Sequence, residues 1–299
     1  MKSIVVAVVL ACGFAQAACD RGAGTTTTAV ATNGPTIKVV DAGKDPKQTL
    51  RFTATKGLTK TMMMAMDMSM TFTIGGTPRT QAIPTIQMPL AITVTDVDKN
   101  GDIHFDFVLK DPEVVTSDPY DPTASAVKSA LAGMAGLSGK AVVTNRGYSK
   151  QVEMTVPPGA NPQVAQFVDS MKQSIGQMSA PLPEEPVGVG AKWETTTKLE
   201  QSNMTMLQIA TNRLSSLDGN NITLDIAITQ TAPRQKIRKD GITVDLKRYT
   251  ATGSAQTTMD LTQVVPSNSK VALKSDMLME ASSQSVGMGL DMTVTLTSQ

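Results

Sequence analysis

The chain is poor in the side chains on which most protein chemistry depends. Its 299 residues include one His, one Trp, two Cys, three Tyr and six Phe. A single imidazole and two thiols leave no ligand set for a zinc site and no nucleophile–base pair for acyl transfer. So few aromatic rings leave little surface for stacking bases or sugars. An excess of one charge is missing too, with 27 Lys and Arg against 26 Asp and Glu. A nucleic-acid groove or a polybasic membrane patch needs such an excess. No Gly-rich phosphate loop occurs. These absences point away from an enzyme, a resident cofactor and nucleic acid.

What remains is methionine, 19 residues of it, in a chain 40% hydrophobic. The length is enough for one large core or two medium ones.

Lys2 followed by the apolar run 4–14 (IVVAVVLACGF) reads as an export signal, too short to span a bilayer. Two processing outcomes stay open. Ala15-Gln16-Ala17 is a small-x-small site for cleavage after Ala17. Alternatively, Ala17-Ala18-Cys19 is the end of a lipobox, with Cys19 as the lipidated first residue, although Gln16 departs from the usual Leu or Val. Cys12 fits a lipobox locally but would leave a very short apolar region. Ordinary cleavage leaves Cys19 as a lone thiol in an oxidising compartment, and lipidation accounts for it. Residues 22–35 (GAGTTTTAVATNGP) lack any apolar period and read as a flexible tether. The expected plan is a signal peptide (1–18), a tether (19–36) and one mainly β domain (37–299) with a helical insert around 122–180. The expected location is the cell envelope, with the membrane as partner through a lipid on Cys19, or simple secretion.

The mature chain alternates. Met62, Met64, Met66, Met68, Met70, Phe72 and Ile74 occupy the even positions of 62–74, and Ala, Asp, Ser and Thr hold most of the odd ones. Strict period-two alternation predicts a half-buried strand. The same pattern returns in Val286, Met288, Leu290, Met292, Val294 and Leu296, and in shorter runs at 90–94, 103–109, 222–228, 242–246 and 271–279. One apolar and one polar face predict an antiparallel sheet, and strands this long must twist. Two apolar stripes at helical spacing are available to cover the dry face. One is Val127, Leu131, Met134 and Leu137 within a helix predicted over 122–137. The other is Val164, Phe167, Val168, Met171, Ile175 and Met178 behind Asn161 and Pro162. A short hairpin around Asn145-Arg146-Gly147 separates them. The fold class expected is therefore α+β, mainly β: a long curved antiparallel sheet, half-barrel or clam-like, with two central helices on its concave face. A faint repetition, from Lys56-Gly57 to the turn at 95–101 and from Gly190 to the turn at 216–221, suggests two related halves.

The phrase PLPEEPVGVGAKW at 181–193, with the alternating MMMAMDMSM at 62–70 and the closing Met-rich strand at 287–296, resembles the signature of an uncharacterised family of bacterial exported proteins and lipoproteins. The resemblance implies an envelope location and brings no activity. The outline of curved sheet and helical plug is similar to periplasmic carriers of lipids and lipoproteins, an analogy of fold alone.

Two metal readings arise. Asp96, Asp98, Asn100, Gly101 and Asp102 match the start of a calcium loop, but Phe107 stands where the closing Glu belongs, and an Asn-Gly hairpin turn explains the same residues. Thioethers suit Cu(I), so the Met ladder offers a soft-metal alternative. His104 is expected on an outward face beside Asp102 and Asp106, solvated. The main expectation is an apolar site, for a lipid or acyl chain, lined by Met64, Met66, Met68, Met70, Met288 and Met292. Phe167, Met171 and Ile175 form its lid. Methionine adapts to varied apolar partners. A structural or assembly role without ligand is the remaining alternative.

Overall fold

Side-chain alternation dictates the architecture. The computed structural model describes residues 27–29, 34–118, 120–155, 168, 181–201, 203–239, 242–281 and 284–299. Among them fifteen strands form one sheet, accompanied by one helix. In chain order these are β1 (Thr27–Ala29), β2 (Thr36–Asp41), β3 (Thr59–Ile74), β4 (Thr77–Val97), β5 (Ile103–Leu109) and β6 (Glu113–Val115). Then come α1 (Pro122–Leu131), β7 (Ser138–Val143), β8 (Ser149–Thr155), β9 (Lys192–Gln201), β10 (Met204–Asp218) and β11 (Asn221–Ala232). The last four are β12 (Gln235–Lys239), β13 (Ile242–Asp260), β14 (Asn268–Ala281) and β15 (Gln284–Ser298). The spatial order is β1-β8-β7-β5-β4-β3-β15-β14-β13-β11-β10-β9-β2, with β6 beside β4 and β12 beside β13. Each pairing is antiparallel.

The sheet is open but cannot be flat. Its edge strands β1 and β2 are neighbours in sequence: Ala29 and Thr36 are joined by a stretch that reaches at most about 25 Å. Laid flat, the strands between them would hold them about 58 Å apart. The curl is filled at one end by residues 42–58, which cross the interior. Leu50 packs with Trp193, Leu214 and Leu224, while Ala54 packs with Val94 and Ile103 on the other half of the sheet. Phe52 N–H donates to Asn145 O and Thr53 N–H to Leu261 O, each at 2.7 Å. The apolar face that this segment crosses is therefore the concave one.

Residues 181–191 fasten the crossing segment. Gln48 and Val187 exchange both backbone hydrogen bonds at 3.0 Å. The Arg51 guanidinium donates to the carbonyls of Pro183 and Glu184, and Arg146 Nε donates to Leu182 O. Gly188 is required here, because a Cβ on it would lie 1.7 Å from the Lys44 carbonyl oxygen. The Val-Gly-Val-Gly-Ala-Lys-Trp phrase is thus a packing device that seals one end of the sheet.

Two meanders share one fastening. Gly57, at φ +87°, donates its N–H to Val94 O, and Leu58 O accepts from Val94 N. Gly190, at φ +91°, donates to Leu214 O, and Ala191 O accepts from Leu214 N. A bulge follows each bracketed residue, at Thr95 and Ser215, whose hydroxyls donate to His104 O and Thr223 O. The positive φ suits Gly at both places.

The helices depart from expectation. α1 starts as its sequence requires, with the Asp121 carboxylate accepting from Thr123 N–H and Pro122 in the first turn. It ends at Leu131, not at Leu137, because Gly133 follows at φ +84° and stops the helix. Met134 and Leu137 still reach the core, but from turns. The second expected helix lies outside the described residues except for Val168, which is 1% exposed in the core with Leu131, Met134 and Phe107. The sheet is accompanied, among the described residues, by one short helix, α1. Among the described residues no helix is long and apolar enough to cross a membrane.

Candidate functional site

The register stacks the inward side chains into rows that cross the concave face. Met68 stands opposite Met292, and the row continues through Leu273, Gly253, Ile228 and Ala210 to Thr195. The next row contains Met70, Leu290, Ser275, Ala251, Gln230, Gln208 and Thr197. On the other side of Met68 lie Met66, Val294, Val271, Ala255, Ile226, Asn212 and Trp193. A bulge at Pro84-Thr85 keeps Ile83 on the same face as Ile86, with Pro placed where its missing N–H costs least.

These rows form a belt between two closed ends. At one end Trp193, Leu214, Leu224 and Met259 are buried under Leu50. At the other, Ile237, Leu246, Met279 and Met288 are buried with Met70 and Phe72 against them. Between the ends Met68, Leu273, Leu290, Met292, Ile226 and Ile228 are only half-buried. The belt is apolar and still reachable. Gly253 is needed in its middle by close packing, since a Cβ there would meet Ala272 O at 2.5 Å and the Leu273 side chain at 2.9 Å.

The belt has two unlike walls. On β3, β4 and β15 it is Met, Ile, Leu and Val. On β9, β10, β11 and β13 it mixes in uncharged polar groups. Tyr249 Oη–H donates to Gln230 Oε1, and Gln230 Nε2 donates to Gln208 Oε1, both at 2.8 Å. Burial pushes the Tyr249 phenol above its ordinary range, so it stays a donor through neutral pH. Asn212 Nδ2 donates to Thr195 Oγ1 at 3.2 Å, and the buried Trp193 Nε1 has no acceptor among the described residues.

The residues expected to line an apolar site divide as follows. Met64, Met66, Met68, Met70, Met288 and Met292 all point to the concave face, where Met64 opposes Met88, Met68 opposes Met292 and Met288 opposes Met277. Met64, Met66 and Met68 pack on the cluster that includes Phe107 and Leu131, and Met70 packs on the cluster around Met288. The lid residues Phe167, Met171 and Ile175, and Cys19, lie outside the described residues. Sequence reading missed the Gln208–Gln230–Tyr249 chain, whose members have the inward parity of their strands but look there like ordinary surface residues.

The calcium-loop residues form a turn. Asp98 Oδ1 accepts from Asn100 N–H at 2.7 Å and Asp102 N–H at 3.0 Å, with Gly101 at φ +80°. These bonds, that to Asp102 first, hold the Asp98 carboxyl below its usual range. His104 has the outward parity of β5 and is half-buried, while the neighbouring Asp102 is buried and paired with Lys150. Among the described residues no three His, Cys, Asp or Glu are grouped to hold a metal ion. An open trough of about 720 Å³ crosses β3, β4, β13, β14 and β15, but its lining includes the outward Asp67, Lys274 and Asp291. Most of its lining, including Ser69, Thr252, Ser254, Ala272 and Thr293, has the outward parity, so the trough lies behind the belt and not on the concave face.

Residues 168–263, less than half of the chain, match a family model described as a family of unknown function (DUF6263). The matched stretch includes the sealing phrase and all of β9 to β13. No curated protein matches the chain.

Proposed function

We propose that this is an exported envelope lipoprotein, lipidated at Cys19, that binds or carries an apolar molecule such as a lipid or acyl chain on its concave face. In this reading it acts by binding alone, without catalysis or a resident cofactor. One observation carries it: a half-buried belt of Met, Leu and Ile lies between two ends that each hold a buried cluster. A solid core would bury those side chains, each worth about 1.5–3 kcal/mol when removed from water. Unbranched Met side chains repack around varied partners. The apolar N-terminal run ending near Cys19 supports the envelope location.

The test is direct. Mass spectrometry of an organic extract of natively purified protein should release a stoichiometric lipid. A clean extract, with no uptake of any fluorescent lipid by the purified protein, would leave the structural or assembly role. Cys19→Ser should move the protein from the membrane to the soluble fraction. Unchanged fractionation would favour simple secretion after Ala17.

A second reading has its own support. Three Met pairs oppose each other across neighbouring strands, Met64 with Met88, Met68 with Met292 and Met277 with Met288. Opposed side chains start about 5 Å apart, close enough for two thioethers to share one Cu(I). Anaerobic titration against a competing chelator decides it. Affinity retained after Met64, Met66 and Met68 are changed to Leu would exclude the β3 ladder.

A further inference from the structure

The Gln208–Gln230–Tyr249 chain has a direction. Its origin is the Tyr249 hydroxyl, whose proton is committed to Gln230 Oε1. Gln230 passes the polarity on by donating from Nε2 to Gln208 Oε1. The chain then ends on Gln208 Nε2, whose two N–H groups have no acceptor among the described residues. Hydrogen bonds in series strengthen one another, so the terminal amide is a better donor than an isolated one. It stands on the concave face, half-buried, next to Ala210 and across from Thr197.

Charge narrows what such a donor serves. On β9, β10, β11, β14 and β15 each Asp, Glu, Lys and Arg, from Glu194 and Lys198 to Asp225, Lys274 and Asp291, has the outward parity. On β13 Lys247 sits at a bulge, already paired with Asp245 and Glu280. The inward-parity cations Arg79, opposite Phe72, and Lys60 stand on the far β3–β4 wall. An ionised carboxylate or phosphate beside Gln208 would lose hydration and find no countercharge on the strands around it. A neutral oxygen acceptor loses far less. Laid flat, β10 and β3 are about 24 Å apart, and the curl shortens that span to the reach of a long acyl chain.

Resting on the carrier reading above, we propose that the ligand is a neutral acyl ester. Its carbonyl oxygen accepts from Gln208 Nε2, and its chains lie along Met68, Met70 and Met292. The polar wall selects the head of the molecule, and the methionine wall tolerates its tails.

Delipidated full-length protein is titrated with three fluorescent probes of equal chain length: a diacylglycerol, a free fatty acid and a hydrocarbon. The diacylglycerol should bind at least tenfold more tightly than the fatty acid. Gln208→Leu should lower diacylglycerol affinity about three- to tenfold, the range expected for one hydrogen bond, and leave the hydrocarbon unchanged. Tyr249→Phe should lower it less. Gln208→Glu, of the same shape but without donors, should also lose the ester preference, and covers the case in which the Leu variant fails to fold. Equal binding of all three probes, or an ester affinity retained in Gln208→Glu, overturns this assignment and leaves the carrier reading standing. Tighter binding of the fatty acid overturns it as well. Binding of none of the three overturns both.

Discussion

Phe52 donates its backbone N–H to the carbonyl oxygen of Asn145 at 2.7 Å, joining the crossing segment to the β7–β8 turn near one edge of the sheet. The neighbouring Thr53 bonds to Leu261, at the end of β13. The sheet is therefore held in its curl from inside, by a segment with no periodic pattern, and not by pairing its two edges.

The buried end of that segment is the place to test the closure. Leu50 is 0% exposed, and Leu50→Ala should cost about 3 kcal/mol through lost burial and a residual cavity. Urea unfolding measures it. A midpoint equal to that of the parent protein would show that the segment does not hold the curl.

Gly188→Ala should be at least as damaging as Leu50→Ala. The new methyl meets the Lys44 carbonyl, which is backbone and cannot turn aside. Overpacking of this kind costs about 1–3 kcal/mol or more. Gly76→Ala, in the β3–β4 turn with nothing within 4 Å, should lose only the backbone penalty of its positive φ, about 1 kcal/mol. Thermal unfolding of the two variants side by side checks the order.

Much of the sheet was legible in the sequence, because alternation needs no distant information. Met62 to Ile74 read directly as β3, and Val286 to Leu296 as β15. That the two lie side by side was not legible, since register between segments so far apart leaves no local mark. The length of α1 was misjudged where the apolar stripe ran on through Met134 and Leu137 and outweighed the stop at Gly133. The sealing phrase at 187–193 was visible as a motif, but its purpose depends on Lys44 and Leu50, which only the fold brings to it. Gln208, Gln230 and Tyr249 were invisible as a group because three strands contribute one residue each.

Two lysine–carboxylate pairs should behave differently. Asp102 is buried, and its partner Lys150 is half-exposed. Lys150→Met leaves that carboxylate without its counter-ion, costing about 1–2 kcal/mol after allowance for solvent at the lysine. Lys274 and Asp291 are both largely exposed, so Lys274→Met should cost under about 0.5 kcal/mol. Equal losses in chemical denaturation would contradict the burial of Asp102.

Acid should weaken the β4–β5 turn. The amides of Asp102 and Asn100 hold the folded-state pKa of Asp98 below its unfolded value, against a smaller opposing effect of desolvation. The folded protein then binds fewer protons at this site. The stabilisation is complete above the ordinary carboxylate value of about 3.9 and is lost as pH falls through the lower folded value. The Tm difference between the parent protein and Asp98→Asn should be constant near neutrality and shrink below about pH 4. A difference unchanged at pH 3 would contradict this account.

The shared Gly57 and Gly190 fastenings have a consequence for how such a molecule can vary. Each meander is pinned at one end, at Val94 and at Leu214, and the β9–β10 hairpin is tied at its far end as well, where Gln235 bonds Thr205 and Asn203 bonds Arg238 O. The far end of the β3–β4 wall has grown: β3 and β4 have 16 and 21 residues, against 10 and 15 for β9 and β10. Adding two residues to each strand of a hairpin adds one rung and keeps the facing of all those below it. A single added residue reverses that facing unless a bulge absorbs it, as the one at Pro84-Thr85 does. Descendants of this chain can therefore lengthen or shorten the β3–β4 wall in even steps, and so resize what it encloses, without touching the sealed end.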